Sequence, residues 1–484
     1  MKRKSFFSSQ HPATAFRLPS NSPLASAAFR ASKGAMRVAS LLSLVALFTA
    51  SASDWPEFMG PARDQTSPET GLLNAWPESG PPRLWEKEIG TGYGAPSVRA
   101  GMLVLHHRVG GEEIVEALDA ATGVARWRYA YASSFTDPFG YNNGPRCTPL
   151  LTADHCYTFG AEGVLLCLDR TTGKLIWRRD TQKDFEVPEA FFGVGSTPIL
   201  EDGRLIVMVG AQPNAAIVAF DAETGATAWQ NVGEKTWNGV AMTGWPGERK
   251  VEWNRANPIY EKQASYSTPV GAAIHGQRHV LCLTAQGLVS LAPKTGEVQF
   301  SYWFRVPQNE SVNAMTPVVS GDLIFVSSAY YRLGSVVLRV RPDGRGVDEV
   351  WRSRVIEVHW TRPVLHEGHL YAFSGRNEPD AKFACVELAT GKLKWERDEG
   401  WRRGAEEPQV FGRGSAILAD GKLIGLGETG MLGLFRPSAE RLEELSRFRA
   451  PGLEYPCWAA PVLADGRLYL RSEKRLVCLN LAPP

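Results

Sequence analysis

The sequence has no Cys-Xaa-Xaa-Cys-His motif and no long stretch with the apolar spacing of an amphipathic helix. The missing cysteine motif excludes a covalently attached c-type haem. Only the segment from Arg441 to Arg449 favours a helical turn or two. The chain is therefore expected to consist of strands and turns.

Acidic residues are missing from the first 52 positions, which hold seven lysines and arginines. This region ends in the apolar run 41–48 followed by Ala50-Ser51-Ala52. A basic start, a short apolar segment and a small-residue exit are typical of a secretory signal peptide rather than a membrane span. We expect residues 1–52 to be leader and signal peptide, starting at Met1 or Met36. The mature protein is then periplasmic or secreted, with no transmembrane segment.

An excess of positive charge is also missing once the leader is removed. The remaining chain has 46 basic and 51 acidic residues, a formal charge of −5. Such a surface gives no electrostatic reason to expect a nucleic acid partner. We expect a monomer.

One sequence motif recurs along the chain, and its complete copies have aspartate, then Thr-Gly, then tryptophan at fixed spacing. These copies run from Asp119 to Trp127, from Asp169 to Trp177 and from Asp221 to Trp229. Each repeat unit is about 50 residues long and contains four short alternating strands. This pattern predicts an all-β fold, an eight-bladed β-propeller of four-stranded antiparallel blades. The aspartate is expected to hold the following turn, and the tryptophan to pack between blades.

The units begin with an apolar strand after a proline or its equivalent. The eight starts are Pro96, Pro149, Pro198, Pro269, Pro317, Pro363, Ser415 and Pro461. The last unit has no fourth strand, whereas Leu84 to Lys87 precedes the first start and resembles an outer strand. We expect this segment to complete the last blade, because unpaired sheet edges invite aggregation. The propeller then spans 84–484, and 53–83 form an N-terminal extension.

The seven cysteines do not form an evident disulfide framework. Cys167, Cys385 and Cys478 occupy the position that alanine holds in other repeats, which indicates small buried residues in separate blades. Cys156 and Cys167 are expected opposite each other on neighbouring strands if the turn lies at 161–162. A cross-strand disulfide there is an open alternative.

The repeated motif resembles the tryptophan-docking repeat of the pyrroloquinoline-quinone (PQQ) β-propeller superfamily, which includes quinoprotein alcohol dehydrogenases and the barrel-assembly lipoprotein BamB. The similarity extends over roughly 84–481, and Asp54 to Phe58 with Gly60-Pro61 also resembles the start of secreted PQQ-like proteins. The resemblance implies the propeller fold. Because that fold serves both enzymes and scaffolds, function depends on the site.

The candidate site lies on the face with the long loops, near the channel mouth. The loops from each outer strand to the next inner strand are long, whereas the opposite face has tight turns such as 201–203. Arginine and aromatic side chains stand just before the inner strands and suit a planar anion such as PQQ. The predicted cofactor-binding residues are Arg146, Tyr266, Asn313, Trp360, Arg362, Arg413 and Trp458, with Tyr93, His359 and Tyr455 nearby. Alternatively, each arginine pairs with an acid such as Glu310, Glu357 or Glu454.

The resemblance also implies features of the dehydrogenases: an adjacent cysteine pair beside the quinone, a carboxylate and an amide that hold calcium, and an aspartate base. No two cysteines are adjacent in this chain. Asn142, Asn143, Asn313 and Glu310 carry suitable oxygen atoms, but no spacing selects them as ligands. His359 alone does not make a metal site, so we assign no metal and no catalytic residue.

The sequence therefore predicts an exported binding or interaction scaffold of the cell envelope, with a PQQ-dependent oxidoreductase as the alternative. Its partner is an envelope protein or a small anionic ligand on the long-loop face. Trp237, Trp245 and Trp253 lie in the insertion 230–267, which has no place in the blade pattern. They either anchor a partner or fold over the channel of their own propeller.

Overall fold

Eight four-stranded antiparallel sheets form an eight-bladed β-propeller, which confirms the predicted fold class. The computed structural model describes residues 53–187, 192–211, 215–231, 266–306, 311–404 and 409–483. Each inner strand begins within two residues of its predicted start. The insertion tryptophans Trp237, Trp245 and Trp253 lie outside the described residues.

The strands before the first blade are β1 (Thr66–Ser67) and β2 (Arg83–Glu88). Those of blades 1 to 4 are, in order, β3 (Ser97–Arg99), β4 (Met102–Val109), β5 (Glu112–Asp119), β6 (Ala125–Ala132), β7 (Leu150–Leu151), β8 (His155–Phe159), β9 (Val164–Asp169), β10 (Leu175–Asp180), β11 (Ile199–Glu201), β12 (Arg204–Ala211), β13 (Ala215–Asp221), β14 (Thr227–Asn231), β15 (Val270–Ile274), β16 (Gln277–Leu283), β17 (Gly287–Leu291) and β18 (Val298–Trp303).

Those of blades 5 to 8 are β19 (Val318–Ser320), β20 (Leu323–Ser328), β21 (Gly334–Val340), β22 (Val347–Ser353), β23 (Val364–His366), β24 (His369–Ser374), β25 (Lys382–Glu387), β26 (Leu393–Asp398), β27 (Gly414–Ala419), β28 (Lys422–Gly427), β29 (Met431–Arg436), β30 (Glu443–Arg449), β31 (Val462–Ala464), β32 (Arg467–Arg471) and β33 (Arg475–Asn480). Within the described ranges the short helical segments are α1 (Thr181–Asp184) and two 3-10 turns, Tyr330–Arg332 and Glu378–Asp380.

The N-terminal strand closes the ring as predicted. Strand β2 pairs antiparallel with β33 and supplies the outer strand of blade 8. Trp85 on β2 lies opposite Cys478, and its indole nitrogen donates a hydrogen bond to the carbonyl oxygen of Ala120 in blade 1 at 3.1 Å. Blade 8 therefore contains both ends of the propeller sequence, and β2 pairs the edge of β33 that would otherwise be open.

The repeated residues connect neighbouring blades. The carboxylate of Asp221 accepts hydrogen bonds from the backbone amide and hydroxyl of Thr224, which fixes the turn before the outer strand. In the preceding blade, the indole nitrogen of Trp177 donates to the carbonyl oxygen of Ala222 at 2.9 Å. The ring of Trp177 covers Gly225, where an added Cβ would lie 2.7 Å from it. Four other rings make equivalent contacts with the following blade, those of Trp85, Trp127, Trp229 and Trp351.

Two sequence-based expectations were wrong. The segment Arg441 to Arg449 is not helical; most of it forms β30, because blade 7 needs this strand to pair with β29. Cys156 is opposite Leu168 rather than Cys167, because Gly163 extends the turn and shifts the register by one residue. A shift of one residue puts the two thiols on opposite faces of the sheet, and all seven cysteines are free and buried. The expected burial of Cys167, Cys385 and Cys478 is confirmed.

The N-terminal extension crosses the short-turn face of the propeller. Trp55 is buried and pairs with Val98 of blade 1. Strand β1 then pairs in parallel with β27 of blade 7. Between them, Arg63 forms an ion pair with Glu201 of blade 3 at 2.8 Å. The extension thus contacts blades across the ring.

No helix in the described ranges is both long and apolar enough to cross a membrane.

Candidate functional site

A cavity of about 220 Å³ lies in the propeller channel. Its wall is made by the residues that enter the inner strands from the long-loop face. Because side chains of extended backbone alternate in direction, residues one and three positions before each repeat proline point to the same side. In this ring of blades that side is the channel, and both positions of every blade line the cavity.

The two positions form two tiers of side chains. The mouth tier, three positions before each start, consists of Tyr93, Arg146, Gly195, Tyr266, Ala314, Trp360, Arg413 and Trp458. The inner tier, one position before each start, consists of Ala95, Thr148, Thr197, Thr268, Thr316, Arg362, Ser415 and Ala460. Blade 7 lacks the proline, and both of its positions are counted from Ala416, which aligns with the prolines of the other blades. The mouth tier is thus rich in aromatic rings, and the inner tier is mostly small side chains and hydroxyl groups.

The extension forms the floor of the cavity. Trp55, Phe58, Met59 and Gln65 all line it. Gln65 is 3% exposed, and its side-chain nitrogen donates to the carbonyl oxygen of Ala416 at 2.7 Å. The extension therefore separates the cavity from the short-turn face.

Arg362 is the unpaired cation of the inner tier. It stands where blades 2 to 5 carry threonine, and it is 6% exposed. Nη1 donates to the carbonyl oxygen of Asp64 at 2.9 Å and Nε donates to that of Pro317 at 3.3 Å. No carboxylate of the described residues lies within ion-pair distance, and Nη2 has no partner there. Burial lowers the pKa of Arg362 to about 10, against the weaker attraction of the Asp64 carboxylate, and the side chain remains charged at neutral pH.

The other two arginines are neutralised by buried carboxylates. Nη2 of Arg146 lies 2.6 Å from Oδ2 of Asp137, whose side chain is fully buried. Nη2 of Arg413 lies 2.7 Å from Oε2 of Glu428 and 3.1 Å from Oε1 of Glu378. Burial opposes ionisation of Glu378. Hydrogen bonds from its own backbone amide and from Arg403, together with the charge of Arg413, outweigh this effect and lower its pKa to about 2.

Glu428 also holds part of the aromatic wall in place. It is completely buried, and its Oε2 accepts a hydrogen bond from the indole nitrogen of Trp458 at 2.9 Å. The guanidinium group of Arg413 lies 4.9 Å from the ring centre of Trp360 and 5.6 Å from that of Trp458. Cation–π contacts of this kind hold the guanidinium group against both indole rings.

Two further titratable side chains of the wall, His359 and Tyr93, are neutral. Burial, and then the nearby charge of Arg413, lowers the pKa of His359 well below its usual value. Burial raises the pKa of Tyr93, whose hydroxyl donates to Glu473 at 2.8 Å. The described lining contains no aspartate or glutamate. Arg362 therefore dominates the charge of the cavity.

The structure brings six of the seven predicted cofactor-binding residues to this cavity: Arg146, Tyr266, Trp360, Arg362, Arg413 and Trp458. Asn313 lies apart from them, because its side-chain nitrogen donates to the backbone carbonyl oxygens of Thr284 and Phe304. That they bind a cofactor stays a prediction.

The proposed oxygen ligands do not come together. The side-chain nitrogen of Asn142 donates a hydrogen bond to Glu473, and its side-chain oxygen accepts one from the backbone amide of Gly144. The side-chain oxygen of Asn143 accepts a hydrogen bond from the backbone amide of Asp137. Glu310 lies outside the described residues. Across the described part of the chain, no group of three or more His, Cys, Asp or Glu side chains is placed to hold a metal ion.

Sequence reasoning missed the cavity floor and the acids that pair with the arginines. Of the acids it suggested, Glu357 instead faces Arg332 at 3.5 Å, and Glu310 is not described. The position of each residue relative to its repeat start was a usable signal for both tiers. No such signal exists for Asp137, which lies in an irregular loop, or for the extension, which lies outside the repeats.

Comparisons with known proteins agree with the propeller fold. The family model described as outer membrane protein assembly factor BamB matches residues 111–397. A stretch of 134 residues is 32% identical to the dehydrogenase subunit of a quinone alcohol dehydrogenase from Komagataeibacter europaeus. Over 126 residues the chain is 30% identical to the quinohemoprotein alcohol dehydrogenase ADH IIB of Pseudomonas putida. Each match covers 24% of this chain and only 17% of the relative.

Solved structures show the same fold at low sequence identity. BamB from Moraxella catarrhalis has a TM-score of 0.53 and 14% identity, over 83% of this chain and 99% of that chain. The quinohemoprotein alcohol dehydrogenase from Comamonas testosteroni has a TM-score of 0.61 and 14% identity, over 89% and 81%. Since the family model covers more than half of the sequence, the chain belongs to the BamB family of PQQ-like β-propeller proteins.

Proposed function

We propose that this protein is a binding scaffold of the cell envelope that holds a small planar anion in its channel cavity. The observation that carries the proposal is Arg362, a buried guanidinium group without a carboxylate partner among the described residues. Burying an unpaired charge is costly. Threonine occupies this position in four other blades, so the repeat itself does not require an arginine. A bound anion would compensate the charge.

The mouth tier supports a planar ligand. The rings of Trp360 and Trp458 lie with centres 5.4 Å apart, and Tyr93 lies 4.9 Å from Trp458. Aromatic walls with a few polar groups are characteristic of small-molecule sites, and they stack well against flat rings. The floor formed by the extension gives the ligand an enclosed inner end beside Arg362.

A PQQ-dependent oxidoreductase is the second candidate, favoured by the stretch that is 32% identical to a quinone alcohol dehydrogenase. Arg362 and the aromatic tier fit a flat ring that carries carboxylates. Bound PQQ would supply oxidation chemistry. The described lining, however, has no carboxylate to hold calcium or act as a base. We therefore derive no catalytic step and prefer the binding role.

Calorimetric titration with 2-naphthoate tests the proposal. Wild-type protein should bind this flat carboxylate, and Arg362→Met should weaken binding by about 1.5–3 kcal/mol, the typical contribution of a hydrogen bond to a charged group. This corresponds to roughly a tenfold to 150-fold higher Kd. The control is Arg441→Met, because Arg441 is 78% exposed and lies on an outer strand connection.

Absence of 2-naphthoate binding to the wild-type protein would contradict the proposal. PQQ titration with calcium, followed by dye-linked alcohol oxidation, tests the second candidate. Oxidation activity that Arg362→Met abolishes would replace the binding role by the enzymatic one. A protein partner that binds the wild-type protein and Arg362→Met equally well would show that the partner is recognised outside the cavity.

A further inference from the structure

We propose that Asp137 is a specificity-determining residue that restricts the cavity to ligands with one negative charge. This inference rests on the proposed function and adds the charge and orientation of the ligand. The carboxylate of the ligand lies on Arg362 at the inner end, and the uncharged edge of its ring faces the mouth.

The two arginines Arg362 and Arg146 lie on opposite sides of the ring. Arg362 belongs to blade 6 and Arg146 to blade 2, so three blades lie between them on either side of the ring and they face each other across the channel. Arg362 is in the inner tier and Arg146 in the mouth tier, two residues apart along the strand direction, about 7 Å. A flat molecule with an anionic group at each end would otherwise find a cation at each end of the cavity.

Asp137 prevents this second contact. Its buried carboxylate lies 2.6 Å from Arg146, so the pair is neutral toward a ligand. Arg146 also donates to the carbonyl oxygens of Gly144 at 2.9 Å and Asn142 at 3.1 Å. These bonds hold the guanidinium group in the wall whether or not Asp137 is charged. Removal of the negative charge should therefore expose a cation without moving it.

Arg413, the other arginine of the mouth tier, is neutralised in the same manner. Arg413 is bonded to Glu428 on two nitrogens and lies beside Glu378, which also pairs with Arg403. A second carboxylate of a ligand would approach the carboxylates of these pairs. Like charges brought together in a desolvated site oppose binding, and the cavity favours a monoanion over a dianion of the same shape.

Two rigid probes of the same ring system test the inference, 2-naphthoate and 2,6-naphthalenedicarboxylate. Calorimetry should give wild-type protein a Kd for the monoanion at least about tenfold lower than for the dianion, because one unpaired cation compensates one charge. Asp137→Asn should reduce this ratio by about tenfold or reverse it, because Arg146 then accepts the second carboxylate. Its Kd for 2-naphthoate should stay within about threefold of the wild-type value, which also shows that the variant is folded.

Glu112→Gln is the matched control, because it removes one acidic charge from blade 1, which the loop with Asp137 follows, at a side chain that is 56% exposed. It should leave the ratio of the two Kd values unchanged. Equal binding of both probes to wild-type protein, or an unchanged ratio in Asp137→Asn, overturns this inference and leaves the proposed binding role standing. Failure of wild-type protein to bind either probe overturns both.

Discussion

Replacing Gly225 by alanine should destabilise the protein more than the same replacement at Gly203. Both glycines have left-handed backbone, with φ of +70° and +72°. At Gly225 the new methyl group would lie 2.7 Å from the ring of Trp177 in the neighbouring blade, whereas nothing lies within 4 Å at Gly203. The two substitutions therefore share the backbone strain and differ in the clash.

The expected sizes follow from these two contributions. An L-residue in left-handed backbone costs roughly 1–2 kcal/mol, which is the whole effect expected at Gly203. Overpacking of a close contact adds about 1–3 kcal/mol, so Gly225→Ala should cost about 2–5 kcal/mol. Trp177→Ala alone should cost about 3–5 kcal/mol, because the indole is 9% exposed and its removal leaves a cavity between blades.

A double-mutant cycle isolates the contact. Once Trp177 is alanine, Gly225→Ala should cost only the strain, about 1–2 kcal/mol, and match Gly203→Ala in the same background. Urea unfolding followed by circular dichroism gives the free energies of unfolding of the variants. Equal costs of Gly225→Ala and Gly203→Ala in the otherwise unchanged protein would refute the packing argument.

Three further outcomes are expected. Removing residues 1–53 should leave the melting temperature unchanged. Removing residues 1–88 takes away the cavity floor and the closing strand β2, and should lower the melting temperature sharply. Equal melting temperatures of the two truncated proteins would exclude closure by β2. The lowered pKa of Glu378, about 2 against 4.5, means that its stabilising effect is complete above about pH 4.5 and is lost as the pH falls toward 2. Glu378→Gln should therefore flatten the acid part of a plot of urea midpoint against pH, and an unchanged slope would show that other groups control it. Burial raises the pKa of the Cys156 and Cys167 thiols, so neither should react with iodoacetamide in native protein at neutral pH; labelling detected by mass spectrometry, or a disulfide, would contradict their placement.

The sequence determined the architecture because its information is local and repeated. Asp221, Thr224 and Gly225 specify one turn through contacts among neighbours in the chain, and the tryptophan four residues later marks the outer strand. Repetition at this spacing leaves a ring of blades as the arrangement that buries every apolar face. The unpaired last strand likewise predicted closure by β2.

The sequence also located most of the cavity wall, since a fixed distance from each repeat start sets which side chains face the channel. Two features, the strand β30 and the turn after β8, could not be placed from the distance to a repeat start. The strand β30 carries Ser446 at the position where most other blades have tryptophan, so its pattern did not separate strand from helical turn. The turn after β8 gained one residue at Gly163, and a shift of one residue reverses the face of a side chain.

Tertiary structure alone decided the charge of the cavity and its closure. Asp137 reaches Arg146 from an irregular loop. Arg413 is reached by Glu378 from the neighbouring blade and by Glu428 from the turn after β28 of its own blade, at distances along the chain that no periodicity encodes. The floor depends on the extension crossing the ring to pair with β27, about 350 residues later. Local preferences specify turns and strands, but which arginine stays unpaired is determined only where distant segments meet and exclude water.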